Sequence, residues 1–303
     1  MNTTEVIVRE SSFHPFFRVF GSISFLLVSS SVLVSLTSSM VLLLSFILQG
    51  VKVDTPLLVA AFALTFAVYS LDRVMNQKED LINDPDRSRL FMGRERMWTV
   101  VATAALASSV AVGAREGLSV LVTLLSPLGV YAAYSVGLPS APRLKQIPVV
   151  KNVVLVGTWA LVPTLLPSLR AIGPAGGKGT LLSLLIFYFI FTKIMINSIL
   201  FDLRDVKGDS ASGVRTLPVI LGVPHVRRLL LLLNATLIVW TVVCWLLDSF
   251  LQYLPILAAS IVYGFWYVHF FTKHSQKRIL VDLLVDGEWI PLTLATTLVY
   301  VLT

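Results

Sequence analysis

The sequence predicts an all-α, polytopic membrane protein with nine transmembrane helices, and three observations predict it. Only 14 % of the 303 residues are charged and 56 % are hydrophobic, with a mean hydropathy of +0.83, whereas a water-soluble domain carries about 25 % charged residues. The charges are clustered, so they cut the chain into long apolar stretches. Most of those stretches match the roughly 20 residues a helix needs to cross the hydrocarbon core. An ordinary soluble enzyme is thereby excluded. Intrinsic disorder is excluded by the apolar content, a collagen-like repeat by only 17 Gly, and a disulfide scaffold by a single Cys.

Taken in order, the uncharged or nearly uncharged stretches are 19–50, 55–71, 97–114, 117–142, 152–169, 179–201, 229–247, 249–272 and 289–303. The first begins after Arg18 and runs uncharged to Gly50, too long for the short apolar region of a secretory signal, and reads as a retained span. It is long enough to tilt. The sixth contains Lys193, an intramembrane charge that either serves function or pairs with another polar group. The ninth is short unless it borrows residues from 279 onward. Cys244 lies in the apolar run LIVWTVVCWLL and reads as a packing residue, so neither an intramolecular disulfide nor a thiolate metal site is available. Residues 1–303 read as a single integral-membrane domain.

Nine spans place the termini on opposite sides, and the Lys and Arg bias orients them. With the N-terminus inside, the inner segments hold every Lys and Arg except Lys52, Arg115, Arg170 and Lys178 on the outer side and Lys193 within a span. The N-terminus is therefore expected in the cytoplasm. The long loops, 72–96 and 202–228, fall on the same side. Loops of that length are uncommon without a purpose, so the chemistry is expected at the cytoplasmic face.

Both long loops open with an acidic stripe. Asp72, Asn76 and Asp80 recur every four residues, and Asp202, Asp205 and Asp209 stand at i, i+3 and i+7, so each set lies on one face of a helix. A bland reading makes each a solvated helix end, with Arg73, Lys78, Arg204 and Lys207 as surface partners. Acids at a helix C-terminus oppose the macrodipole, however, and two such stripes at one face ask for a stronger cause. A hard divalent cation such as Mg²⁺ supplies it, because that ion takes oxygen ligands and is commonly shared with substrate phosphates. His14, His225, His269 and His274 show no metal-ligand spacing and read as interfacial or loop residues. Cations for a phosphate stand nearby: Arg87 and Arg89, Lys145 and Lys151, and Arg215.

These motifs resemble the UbiA superfamily of intramembrane prenyltransferases. The DxxxD element appears as Asp205 to Asp209, and Gly213, Arg215, Thr216, Leu217, Pro218, Leu221 and Gly222 are similar to the family's GxRTLPxxLG tail. The segment LKQIPVVKN, with Lys145, Lys151 and Asn152, is similar to a lysine-bearing loop of the family. INDPDRSRLFMG, 82–93, resembles another loop, keeping Pro85, Asp86, Arg87 and Gly93. The first motif departs from the pattern, since Asp72, Asn76 and Asp80 replace an Asn, Asp, Asp order. The number of carboxylates is held while two positions are exchanged.

The resemblance implies a helical bundle around a central cavity, with the acidic stripes facing each other at its cytoplasmic mouth. It implies Mg²⁺, as two ions, one held by Asp72, Asn76 and Asp80 and the other by Asp205 and Asp209, with Asp202 a ligand or a nearby acceptor. Arg87, Lys145, Lys151 and Arg215 are the implied diphosphate binders. The implied reaction is transfer of a prenyl group from an isoprenyl diphosphate to an aromatic or lipid acceptor. The expected partners are the prenyl diphosphate, a hydrophobic acceptor and membrane lipid, with no nucleic acid. Tyr69, Tyr134, Phe187, Tyr188 and Phe201 are candidates to face an allylic cation. Asp282 and Glu288 flank the ninth span without a matching stripe and read as interface residues. Two rival functions stay open: an ion-coupled transporter, and a non-catalytic member that binds isoprenoid lipid.

Overall fold

The computed structural model describes residues 15–75, 77, 84–135, 149–171, 177–211, 213–274 and 278–303. Among the described residues all regular structure is helical: α1 Pro15–Ser29, α2 Val32–Leu48, α3 Thr55–Met75, α4 Pro85–Phe91, α5 Glu95–Glu116, α6 Leu118–Ser135, α7 Val150–Arg170, α8 Gly177–Ala211, α9 Leu217–Leu221, α10 Val223–Leu246, α11 Leu254–His274, α12 Arg278–Val285 and α13 Trp289–Leu302, with a 3₁₀ turn at Asp286–Glu288 joining the last two.

The helices form a ring. In the order α2, α3, α5, α6, α7, α8, α10, α11, α13, each packs on the next, and α13 closes on α2. α8 sits in two of the three apolar clusters that hold the ring together, one built around Phe189, Trp240 and Trp289 and the other around Ile199, Tyr267 and Phe271. Cys244 is fully buried in the first, as a packing residue should be.

Six described helices are long and apolar enough to cross a membrane, or seven if the bent pair α1 and α2 is one span. The expected count of nine is not confirmed among the described residues. The first span bends by 73° between α1 and α2. The fourth is described as helix only to Ser135, and α13 has 14 residues, short of the roughly 20 that a span needs.

The bend has a local cause. Three consecutive serines, Ser29 to Ser31, offer the backbone side-chain hydrogen bonds that compete with helix. Ser31 takes a left-handed φ of 69°. The carbonyls freed at the break are met by Arg73 of α3, which donates to Ser29 O, to Ser31 Oγ at 2.6 Å and to Val28 O at 3.5 Å. Arg73 is buried, so its reading as a surface partner is overturned.

α8 has 35 residues, about 52 Å at 1.5 Å per residue, so it outruns the hydrocarbon core by about 20 Å. The stretch expected as loop from 202 is thus helix through Ala211. Gly213, at φ 70°, ends it: Val214 N–H donates to Asp209 O at 2.9 Å and Gly213 N–H to Ser210 O at 3.3 Å. This is a Schellman closure, which needs a left-handed residue at that point. Gly222, at φ 72°, makes the next turn between α9 and α10. The two glycines of the GxRTLPxxLG-like tail are therefore turn residues.

Candidate active site

Two adjoining cavities lie inside the ring. The larger, of about 250 Å³, is walled by Val41, Val156, Trp159, Pro163, Ile194 and Trp289, with Thr37, Thr65, Asn197 and Ser198 interspersed, and Lys151, Asn152, Asp202 and Asp286 at one end. The smaller, of about 200 Å³, is lined by Asp72, Arg73, Arg87, Arg204, Asp282 and Asp286 with a few apolar groups. Val34, Tyr69, Phe201 and Asp286 line both. One chamber is mostly apolar and the other is ionic, and they share a wall.

α8 supplies the acids. Asp202 accepts from Lys151 Nζ at 2.8 Å and from Asn152 Nδ2 at 3.0 Å, and Asn152 also donates to Ser198 Oγ at 2.9 Å. Lys151 and Asn152 stand in the first turn of α7, so this contact ties α7 to α8. Three residues further on, Asp205 meets Arg204 at 3.1 Å and Arg278 of α12 at 3.0 Å. Arg204 reaches Asp282 of α12 at 2.6 Å and stacks over Phe201 at 4.9 Å. It is buried, not a surface partner. Asp84 caps α4, accepting from Arg87 N–H at 3.1 Å, with Pro85 at the first helical position where its missing N–H costs nothing.

A second polar group descends from this rim. Lys193 pairs with Glu288 at 2.7 Å and donates to Ser260 O at 3.0 Å, and Tyr267 O–H lies 3.4 Å from Glu288 Oε1 and from Asn197 Oδ1. Asn197 donates to Val285 O at 3.2 Å. Lys193, Asn197 and Arg204 share one face of α8 at i, i+4 and i+11. That face latches Asp282–Glu288 against the helix and presents Asp286 to both cavities.

The structure brings together Asp72, Asp202, Asp205, Arg87 and Lys151 at one end of the ring, in or beside the two cavities. Asp209 is half-buried one turn beyond Asp205 and lines neither cavity. Arg215 is exposed and lines neither. Asn76, Asp80 and Lys145 lie outside the described residues, as does the side chain of Tyr134. Tyr69 and Phe201 face the cavities, while Phe187 packs in the core and exposed Tyr188 donates to Thr236 Oγ1 at 2.6 Å. His225, His269 and His274 are exposed, on helices rather than loops.

The reading of Asp282 and Glu288 as interface residues is overturned. Both are ion-paired to α8, and Glu288 is buried. Arg204 and Asp286 were given no role by the motifs. The signal that marks Asp286 is its position four residues after Asp282, the same stripe spacing as the other acids.

The donor chemistry fits a hard cation, because among the described residues the two cavities are lined with carboxylate, amide and hydroxyl oxygens and with no imidazole or thiol. Among the described residues no three Asp, Glu, His or Cys side chains gather as a metal site.

The fold is similar to that of several solved structures. The apo UbiA homolog from Aeropyrum pernix K1 superposes with a TM-score of 0.67 at 14 % identity, over 88 % of this chain and 97 % of that one. The UbiA homolog from Archaeoglobus fulgidus bound to GPP and Mg²⁺ gives 0.61 at 15 %, over 89 % and 98 %. A digeranylgeranylglyceryl phosphate synthase gives 0.57 at 13 %, over 92 % and 96 %. At such identities the likeness is one of fold. No curated protein matches the chain by sequence. The sequence model of the UbiA prenyltransferase family matches residues 35–281, most of the chain, and the chain belongs to that family.

Proposed function

We propose that this protein, a single membrane domain, transfers a prenyl group from an isoprenyl diphosphate to a hydrophobic acceptor, releasing diphosphate in an Mg²⁺-dependent reaction. The observation that carries the reading is the pairing of an ionic cavity with an apolar one across a shared wall. An allylic diphosphate has the same division, an anionic head and a hydrocarbon tail. Binding of GPP and Mg²⁺ by a family member of the same fold supports the assignment.

Asp72, Asn76 and Asp80 would hold one metal ion and Asp205 and Asp209 another, with Asp202 beside them. Bound there, Mg²⁺ supplies Lewis-acid neutralisation of the leaving diphosphate. The remaining negative charge falls to Arg87, Lys145 and Lys151, with Arg215 on the outer rim. In this structure Lys151 already holds Asp202, and Arg204 and Arg278 hold Asp205, so binding of the anion exchanges these partners. Tyr69 and Phe201 stand between the cavities, where a π face stabilises a developing cation. The apolar wall of Val41, Trp159, Ile194 and Trp289 keeps water from the cation until the acceptor takes it.

The ionic mouth is assigned to the cytoplasmic side by the Lys and Arg bias. The packing supports two distinct ends: Arg170 holds both Asp54 and Glu116, all expected outside, and Asp54 and Asp72 stand at opposite ends of α3.

Calorimetry of GPP with the purified protein in detergent tests the proposal. Binding is expected with Mg²⁺ and is expected to vanish with chelator. Asp205→Asn and Asp209→Asn should each remove most transfer of radiolabelled prenyl to acceptor. Equal affinity with and without metal sinks the metal-dependent reading, and binding without turnover favours a lipid-binding protein.

A further inference from the structure

Transfer to a hydroxyl-bearing acceptor releases a proton, and the acids of the two family motifs are committed to cations or metal. Asp202 is held by Lys151 at 2.8 Å and Asp205 by two arginines. Outside those motifs, Asp282 is held by Arg204 at 2.6 Å and Glu288 by Lys193 at 2.7 Å. Asp286 differs. It makes no ion pair among the described residues, and it alone of the acids lining these two cavities lines both.

We propose that Asp286 is the catalytic base that takes the acceptor's hydroxyl proton. This rests on the prenyl-transfer reading. The allylic C–O bond breaks with its electron pair leaving on diphosphate. The acceptor's oxygen, or the ring carbon its hydroxyl activates, bonds to the allylic carbon, and the hydroxyl proton moves to a carboxylate oxygen of Asp286; after ring attack the dienone so formed loses its ring proton and its oxygen regains one, restoring the phenol. The position suits the task, because the shared wall is where a diphosphate head in one cavity and a tail or acceptor in the other must meet. The 3₁₀ turn that carries Asp286 is fixed on both sides, by Arg204 on Asp282 and by Lys193 on Glu288, so the carboxylate is aimed by that frame and by a hydrogen bond from Asn197, with no cation paired to it among the described residues.

The charged and titratable groups that act on Asp286 are Asp282 and Glu288 from its own segment, Arg204 from α8, Tyr69 from α3 and Tyr267 from α11, and Asp72, Arg73 and Arg87 face the smaller cavity with it and Lys151 and Asp202 the larger. Burial and the negative charge of Asp282 outweigh Arg204 and the Asn197 hydrogen bond, and its carboxyl is pushed up to about 7. A base poised near neutrality is the most effective proton acceptor at neutral pH. It works ionised, so activity should rise as pH rises through that value.

The test uses the full chain in detergent with Mg²⁺, radiolabelled GPP as donor, and 4-propylphenol and water as acceptors, following diphosphate release and geranylated products on both sides of pH 7. The parent should show the acid limb. Asp286→Asn should bind GPP within about twofold of the parent, form product about a hundredfold more slowly, and lose the limb. Asp286→Glu should recover part of both. An Asp286→Asn protein with the parental rate and limb overturns the inference and leaves prenyl transfer standing. Loss of GPP binding in both Asp286→Asn and Asp286→Ser also overturns it, because the group then serves binding. Absence of diphosphate release by the parent overturns prenyl transfer itself, and the base with it.

Discussion

Two Lys-carboxylate pairs of α8 invite comparison, because their chemistry is the same and their surroundings are not. Lys193–Glu288 spans 2.7 Å with side chains 0 % and 2 % exposed, sealed behind Tyr267 and Ser260. Lys151–Asp202 spans 2.8 Å at 8 % and 14 %, and both residues line the larger cavity. Water and ligand reach one pair and not the other. The sealed pair is fixed, whereas in the proposed function the cavity pair exchanges Lys151 between Asp202 and an incoming phosphate. Burial, not residue type, separates the sealed pair from the one proposed to act on substrate.

The sharpest break of this comparison is Glu288→Gln. It removes the carboxylate charge that balances the buried Lys193 ammonium and leaves it neutral partners alone, the new amide oxygen, Ser260 O and the Tyr267 hydroxyl, and breaking a buried pair from one side costs about 3–5 kcal/mol. The unfolding midpoint in detergent should fall accordingly. Replacing both partners, Lys193→Met with Glu288→Leu, should recover most of the loss, since apolar substitution of a whole buried pair is often neutral. If the single variant unfolds with the parent, the pair is not the latch described above.

Asp202→Asn should divide its effects the other way. The amide keeps an oxygen for Asn152, and Lys151 can turn to solvent in the cavity, so the stability loss should stay near about 1–3 kcal/mol. Prenyl transfer should fall at least about tenfold if Lys151 and Asp202 act together on the diphosphate, an interaction worth about 1.4 kcal/mol or more in the transition state. Parental transfer with a lowered midpoint would move this pair into the structural class with Lys193–Glu288.

The sequence carried the helical class, the positions of the six long apolar helices and the acid stripe of α8, because a period of 3.6 residues and the need for uncharged spans are local properties. It did not carry the bend at Ser31, which depends on Arg73 arriving from 42 residues away to meet the freed carbonyls. Nor did it carry the fate of Asp282, Asp286 and Glu288. Their spacing is visible, but their partners lie on α8, 78 residues from Asp282 in one case, and no local pattern links Lys193 to Glu288. The family motifs pointed to Lys151, Asp202 and Arg87 at the cavities. They also pointed to Arg215, which lies on the exposed side of the α8–α9 turn because the Schellman closure at Gly213 redirects the chain.

The smallest effect is expected at the opposite end of the ring, where Arg170 bridges Asp54 at 2.7 Å and Glu116 at 2.6 Å. The distances match those of the sealed pair, but the Arg170 side chain is 36 % exposed. Water screens the charges and competes for the donors, and such pairs contribute about 0–1 kcal/mol. Arg170→Ala should therefore shift the unfolding midpoint by at most a few degrees and leave transfer unchanged, and raising the salt concentration should shrink even that difference. A loss as large as that of Glu288→Gln would mean that short distance alone decides the strength of these pairs. The contrast between sealed and accessible pairs would then fail.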